Sequence, residues 1–490
     1  MKKNILIMLL IVSIILPLLS SCSKAKEDSQ DNQNNETAAD DSGGTTEESE
    51  AATEYVPDLP AVDMDGLVFR IFNTGWSNNY EPLAITDLTS EELSGDPLND
   101  AVFNRQTFIE DKYNIKIEEI AGDTGTGAKF NIIKSVQADD GAFDLCFIRM
   151  IDYNALITGK CAADLEDVPT IDVTQPWWDS NSYDSFSLLG KHYGVCSDIT
   201  MNDDASVWCV YFNKQMIQDN SLESPYNLVT DSKWTYGKLF EMNKVISKDL
   251  NGDGKMDGED RYGMLHSNDT VIGMLNCTGV NIGELDGDGN LIFTFDREDN
   301  ISKTIDILTG LFDRNTVFNV HARGGGVSFE DGDNLFSFLS VFNSISMRAM
   351  ETDFGILPYP KYDEKQEKYM SSVSPLFTTL AIIPTTNTNF EDTGIIMEEM
   401  AYQGYKNIRP AFYDSLLQRK IARDEESADM LDYLFANVVY DLGAIWNISN
   451  FTLDFSVTVP PKYDLNIASF IEERKGKIES DIEKIMESMQ

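Results

Sequence analysis

Leu67-Val68-Phe69-Arg70-Ile71-Phe72, an apolar run closed by Gly66 and Asn73, opens the folded part of the chain and decides its architecture. A short run of large apolar residues between turn formers reads as a buried strand. Asp96-Pro97 then starts a helix, with Asp96 as N-cap, Pro97 in the first turn, and Leu98, Ala101, Val102, Phe108 and Ile109 at helical spacing. Tyr113-Asn114 ends it, and Ile115, Ile117 and Ile120 follow at strand spacing. A helix through Phe130, Ile133 and Val136 leads into the run Phe143 to Ile148. Strand, helix, strand, helix, strand is the order of an α/β unit with a largely parallel sheet. Ligands in such sheets lie beyond the carboxyl ends of the strands, which singles out Asn73 to Trp76 and Arg149 to Tyr153.

Further along, Val207 to Phe212, Asp353 to Leu357 and Thr378 to Ile383 are strand candidates, and helices fill much of Thr393 to Tyr440. The tail from Ile467 to Met489 puts Phe470, Ile471, Ile478, Ile482, Ile485 and Met486 on roughly one face, the pattern of a helix packed on the body. No internal repeat is present.

Several of these stretches together resemble the extracellular solute-binding proteins of ABC importers, in the carbohydrate-binding group related to maltodextrin-binding protein. They are Leu98-Asn99-Asp100-Ala101-Val102 with Tyr113-Asn114-Ile115, Val136-Gln137-Ala138-Asp139-Asp140-Gly141-Ala142-Phe143-Asp144-Leu145, Tyr211-Phe212-Asn213-Lys214, Lys233-Trp234-Thr235, and Asp353-Phe354-Gly355-Ile356-Leu357-Pro358-Tyr359-Pro360. Their order runs over roughly residues 62 to 460. The resemblance implies an α/β, two-lobed periplasmic-binding-protein-like fold of type II, with a ligand cleft between lobes joined by a hinge that the chain crosses more than once. By analogy lobe one is 60–198 plus 358–410 and lobe two is 199–357 plus 411–490, with an insertion relative to smaller members between Asp164 and Tyr193. It also implies polar sugar contacts from Arg149 and Asp152 and an aromatic platform from Trp446, while Trp234 is expected to be structural.

Sugars stack their C–H faces on aromatic rings while amides, carboxylates and Arg hold the hydroxyls. Asn73, Trp76, Arg149, Asp152, Trp178, Trp208 and Trp446 are therefore the candidate ligand-binding residues. Asp249 to Asp260 fits a calcium loop of the EF-hand type, with side-chain oxygens from Asp249, Asn251, Asp253, Asp257 and Asp260, Gly254 at the sharp turn, and the Lys255 carbonyl. Asp260 stands where Glu is usual, and Tyr262-Gly263-Met264 reads as a strand, so the expected role of Ca2+ is structural. Glu284 to Asn290 begins like a second such loop but places Ile292 and Phe295 at ligand positions, so it reads as a hairpin turn.

Met1 to Cys22 has the layout of a bacterial lipoprotein signal: Lys2 and Lys3, an apolar stretch from Ile5, and Leu19-Ser20-Ser21-Cys22, which resembles a lipobox. Residues 1–21 are expected to be removed and Cys22 to carry the lipid. Residues 22–58 then form an acidic tether; Ser23 to Glu54 holds ten acidic and two basic residues and almost no large apolar ones. Five cysteines remain, an odd number, and read as small buried hydrophobes. At 490 residues the body is long enough for two or three domain-sized units, and a net charge of −44 excludes a nucleic-acid partner. GxSxG, HExxH and P-loop motifs are absent, and the chain has three histidines, His192, His266 and His321. The sequence thus points to a monomeric, membrane-anchored, extracytoplasmic binding protein that hands a carbohydrate to an ABC permease, and not to an enzyme. A lipid-anchored polysaccharide-degrading enzyme and a surface sensor or adhesion module are the alternatives.

Overall fold

The computed structural model describes residues 55–75, 86–124, 127–324, 327–416 and 425–490. Cys22, the signal segment and Trp76 lie outside the described residues. The strands in chain order are β1 (Leu67–Gly75), β2 (Ile115–Thr124), β3 (Leu145–Arg149), β4 (Trp208–Asn213), β5 (Met264–His266), β6 (Gly283–Leu285), β7 (Leu291–Phe293), β8 (Val317–Asn319), β9 (Phe336–Ser340), β10 (Phe354–Leu357), β11 (Ser371–Ser372), β12 (Thr379–Ile382) and β13 (Val438–Val439).

The first sheet has the order β12-β3-β1-β2. β1 runs parallel to β2, with Leu67 opposite Ile115, and parallel to β3, with Ile71 opposite Leu145; β12 closes the edge antiparallel. The linking helix Pro97–Tyr113 starts as its sequence dictates: the Asp96 carboxylate accepts from the Leu98 and Asn99 amides, and Asn114 ends the helix in the left-handed conformation. Its Arg105 is buried and donates to the carbonyls of Asp87, Leu88 and Ile199, which ties the helix to the chain where it leaves this half of the molecule.

The second sheet has the order β10-β4-β9-β5-β8, with β4 antiparallel to both neighbours and β5 parallel to β8 and β9. Trp234 is buried beside it and donates its indole N–H to Pro358 O, the structural role expected of it. Between the sheets three chain segments run side by side: Val207 bridges Val373, and β11 pairs with β13. This layer of crossings is the hinge region of a two-lobed molecule.

Cys146, Cys161, Cys196, Cys209 and Cys277 are all buried and free. The Glu284 to Asn290 stretch is a hairpin turn, joining β6 to β7. The tail differs from its sequence reading: it is two helices, Ile467–Glu472 and Lys475–Ser488, because the chain breaks at Glu473-Arg474, where the Arg474 guanidinium packs 3.7 Å from the Phe470 ring centre. Among the described residues no helix is long and apolar enough to cross a membrane.

Candidate functional site

The carboxyl ends of the first sheet gather polar groups that the core cannot use. Asn73, near the end of β1 and opposite Phe147, donates its amide to Glu119 Oε1 at 2.7 Å. Arg149, the last residue of β3, donates from Nε at 2.9 Å and Nη2 at 2.6 Å to Asp152 Oδ2. Lys129, from the helix Ala128–Ala138, donates to Asp152 Oδ1 at 2.8 Å. Asn73, Arg149 and Asp152 are all buried, and Asp152 holds two cations at once. Desolvating a charge is costly unless it is paired, so this arrangement is a rigid buried cluster in which one carboxylate is held by two cations.

Trp446 comes to the same place from the other end of the chain. Its ring meets Tyr153 edge-on at 5.2 Å, and its buried indole N–H has no hydrogen-bond partner among the described residues. Asp441 fixes the approach: its buried carboxylate accepts from the amides of Ile282, Gly283 and Gly443 and from Asn276 Nδ2. Gly283 and Gly443 lie back to back, and a Cβ on Gly443 would come within 2.5 Å of the Gly283 nitrogen. Asn73, Arg149 and Asp152 thus lie at the ends of neighbouring strands, and Trp446, expected as an aromatic platform, is instead completely buried against Tyr153, the residue after Asp152.

Trp178 sits elsewhere, whereas Trp208 turns onto Gly273 and meets Phe377, which adjoins the strand that pairs with Arg149. Trp178 shares one carboxylate with Trp177: the two indole N–H groups donate to Glu398 at 2.9 and 2.8 Å, and burial pushes Glu398 up to about 7 against those hydrogen bonds. Trp178 also lines a cavity of about 560 Å³ that the sequence did not reveal. One wall comes from 176–181 and another from 435–440 around β13, and Ser197, Asp198, Asp203, Asp204, Val207, Lys368, Met370 and Arg409 also line it. Tyr440 spans the gap, donating its hydroxyl to Asp179 Oδ2 at 2.5 Å. Aromatic rings connect this cavity to the strand-end cluster: Tyr440 to Phe186 at 5.3 Å, Phe186 to Tyr153 at 6.0 Å, and Tyr153 to Trp446.

The 249–260 loop is curled by its own side chains. Asp249 accepts from the Gly252 and Gly254 amides, Asn251 from Asp253, Asp253 from Lys255, Asp257 from Glu259, and Asp260 from Leu250 and Asp257. Gly254 is left-handed at φ +79°, as its position requires. The donor set is the hard-oxygen set that Ca2+ takes. Among the described residues, however, no three His, Cys, Asp or Glu side chains are gathered closely enough to hold a metal ion. An ion would have to draw Asp249, Asp253 and Asp260 inward from their amide partners.

No protein-family model matches the chain, and no curated protein matches it in sequence. Solved structures do match in fold. A cyclo/maltodextrin-binding protein complexed with maltotetraose aligns with a TM-score of 0.55 at 12% identity, covering 89% of this chain and 97% of its own. The galacto-N-biose/lacto-N-biose I-binding protein of the ABC transporter from Bifidobacterium longum, in complex with lacto-N-biose, gives 0.54 at 10% identity, covering 87% and 97%. An ABC substrate-binding protein from Listeria monocytogenes in complex with cycloalternan gives 0.52 at 12% identity, covering 87% and 99%. The chain thus has the two-lobed, periplasmic-binding-protein-like α/β fold that these sugar-bound proteins share.

Proposed function

We propose that this protein is the extracytoplasmic solute-binding subunit of an ABC importer, capturing a carbohydrate and delivering it to a membrane permease without chemical turnover. The observation that carries this reading is the gathering of Asn73, Arg149 and Asp152 at the ends of neighbouring strands, with Trp446 packed on Tyr153 beside them, in a fold whose solved neighbours hold oligosaccharides. Rigid amide, guanidinium and carboxylate groups beside an aromatic ring are the chemistry that grips a sugar. Closure of the two lobes on the guest is the signal the permease reads. The chain acts as a monomer tethered by a lipid on Cys22, behind its acidic linker. Ca2+ in the 249–260 loop stiffens lobe two and takes no part in capture. A glycan panel tests the function: saturable binding with the ligand recovered intact supports it, and new reducing ends in the recovered ligand overturn it in favour of a degrading enzyme.

A further inference from the structure

The cavity beside the hinge layer is chemically unlike the strand-end cluster. Its volume, about 560 Å³, lies within the range of small-ligand sites. Asp179, Asp198, Asp203 and Asp204 contribute four carboxyl groups to its lining, against the two cations Arg409 and Lys368. Arg409 is aimed by a π-helical turn, Gly404–Ile408, a local irregularity common at functional sites, and lies 3.4 Å from Asp198. Gly404 permits the approach, since a Cβ there would run into Asp198 O at 1.7 Å. Asp203 has no such partner among the described residues: the charges felt by it are the like charges of Asp204, Asp179 and Asp198. The indole of Trp178 and the phenol of Tyr440 also line the space.

We propose that this cavity is a second binding site, distinct from the strand-end cluster, and that its ligand is a linear diamine. Two ammonium groups balance the surplus of two carboxylates, and aromatic faces attract cations. A neutral sugar would leave that surplus to be met by protons on the carboxyls. Because the walls come from both sides of the hinge, occupancy ties 176–181 to 435–440 and is coupled to lobe movement. The site does not depend on the carbohydrate reading.

The carboxyl groups supply a signature. Burial pushes Asp198 up to about 8, with Arg409 opposing and Asp204 reinforcing, and pushes Asp204 up to about 6, with Arg409 opposing. Asp203 and Asp179 are also raised by burial, Asp203 further by its neighbours, while Tyr440 and Tyr413 remain neutral donors beside them. A diamine binds the ionised forms and so displaces protons on binding.

Titration of the purified protein with 1,4-diaminobutane by calorimetry, in buffers of different ionisation enthalpy, tests the proposal. The expected result is saturable one-to-one binding at pH 8 with proton release, at least about tenfold weaker at pH 5. Asp203→Asn, nearly isosteric, should weaken it by about tenfold or more, and the paired surface variant Glu364→Gln with Glu473→Gln should not. Absence of saturable binding at pH 8 overturns the proposal. So does equal weakening by the surface pair, which would mean diffuse attraction to a chain of charge −44. Glycan binding retained by Asp203→Asn would show that the two sites are separate; its loss would overturn that separation.

Discussion

Two acid-bearing regions flank the hinge layer, and they handle charge in opposite ways. At the strand ends one carboxylate, Asp152, is held by two cations at 2.6 and 2.8 Å. In the cavity four carboxyl groups share two cations, and among the described residues only Asp198 has a guanidinium within ion-pair distance. The first region is a finished, largely buried salt-bridge network. The second is an unfinished one, whose charge is balanced by protons or by a ligand. A buried acid is thus no single signal; the cations around it decide whether it builds structure or waits for a guest.

The contrast breaks most visibly at Asp152. Asp152→Ala strands Arg149 and Lys129 without their shared partner and should cost roughly 3–5 kcal/mol, read as a lowered urea midpoint with an unchanged slope. A loss below about 1 kcal/mol would mean that the network is solvated and not structural.

Second comes a pH dependence to which the raised carboxyls in and beside the cavity contribute, along with Asp87, Asp144 and Asp441, also raised by burial. Asp198 is raised to about 8 and Glu398, nearby in the fold, to about 7. A carboxyl with a raised folded-state value binds more protons folded than unfolded, so stability is greatest below the ordinary carboxylate range and declines as pH rises toward 8. Thermal melts should show a falling midpoint from pH 5 to pH 8, and added diamine should reverse part of the fall.

A smaller effect has the opposite sign to that at Asp152. Asp203→Asn removes a charge that its surroundings oppose, so it should stabilise the protein at pH 8 and be neutral at pH 5. Each tenfold change in a carboxylate's proton affinity corresponds to about 1.4 kcal/mol, which sets the scale of the gain. Destabilisation at pH 8 would mean that the cavity acids are better compensated than the geometry implies.

The smallest expected change lies away from both regions. Ca2+ added to chelator-treated protein should raise the melting midpoint by a few degrees, and Asp249→Ala should abolish the rise. An identical midpoint with and without Ca2+ would make the 249–260 loop a metal-free turn.

Much of the first region was legible in the sequence because its signals are local. Asp96-Pro97 announces a helix, the run from Leu67 announces a strand, and the residues after a parallel strand are suspect by position alone, which found Asn73, Arg149 and Asp152. Lys129 was missed: it lies on the preceding helix, and nothing in its neighbours marks it as a partner of Asp152. Trp446 was named as a platform through family resemblance, and the structure buries its ring completely against Tyr153; no local pattern separates a platform tryptophan from a core one. The cavity was invisible for a physical reason. Its walls come from 176–181, 197–207, 368–370, 409 and 435–440, and the Glu398 that anchors Trp177 and Trp178 is some 220 residues from them. Long-range convergence leaves no mark in spacing. The tail reading failed at Glu473-Arg474, where apolar spacing continues across a break in the helix.

The central claim is capture of a carbohydrate between two lobes that close on it. Small-angle scattering of the protein with and without the best-binding oligosaccharide measures this directly. A saturable decrease in radius of gyration, abolished by Trp446→Ala in a variant that still melts cooperatively, is the predicted result. A profile unchanged by every oligosaccharide that binds would contradict it.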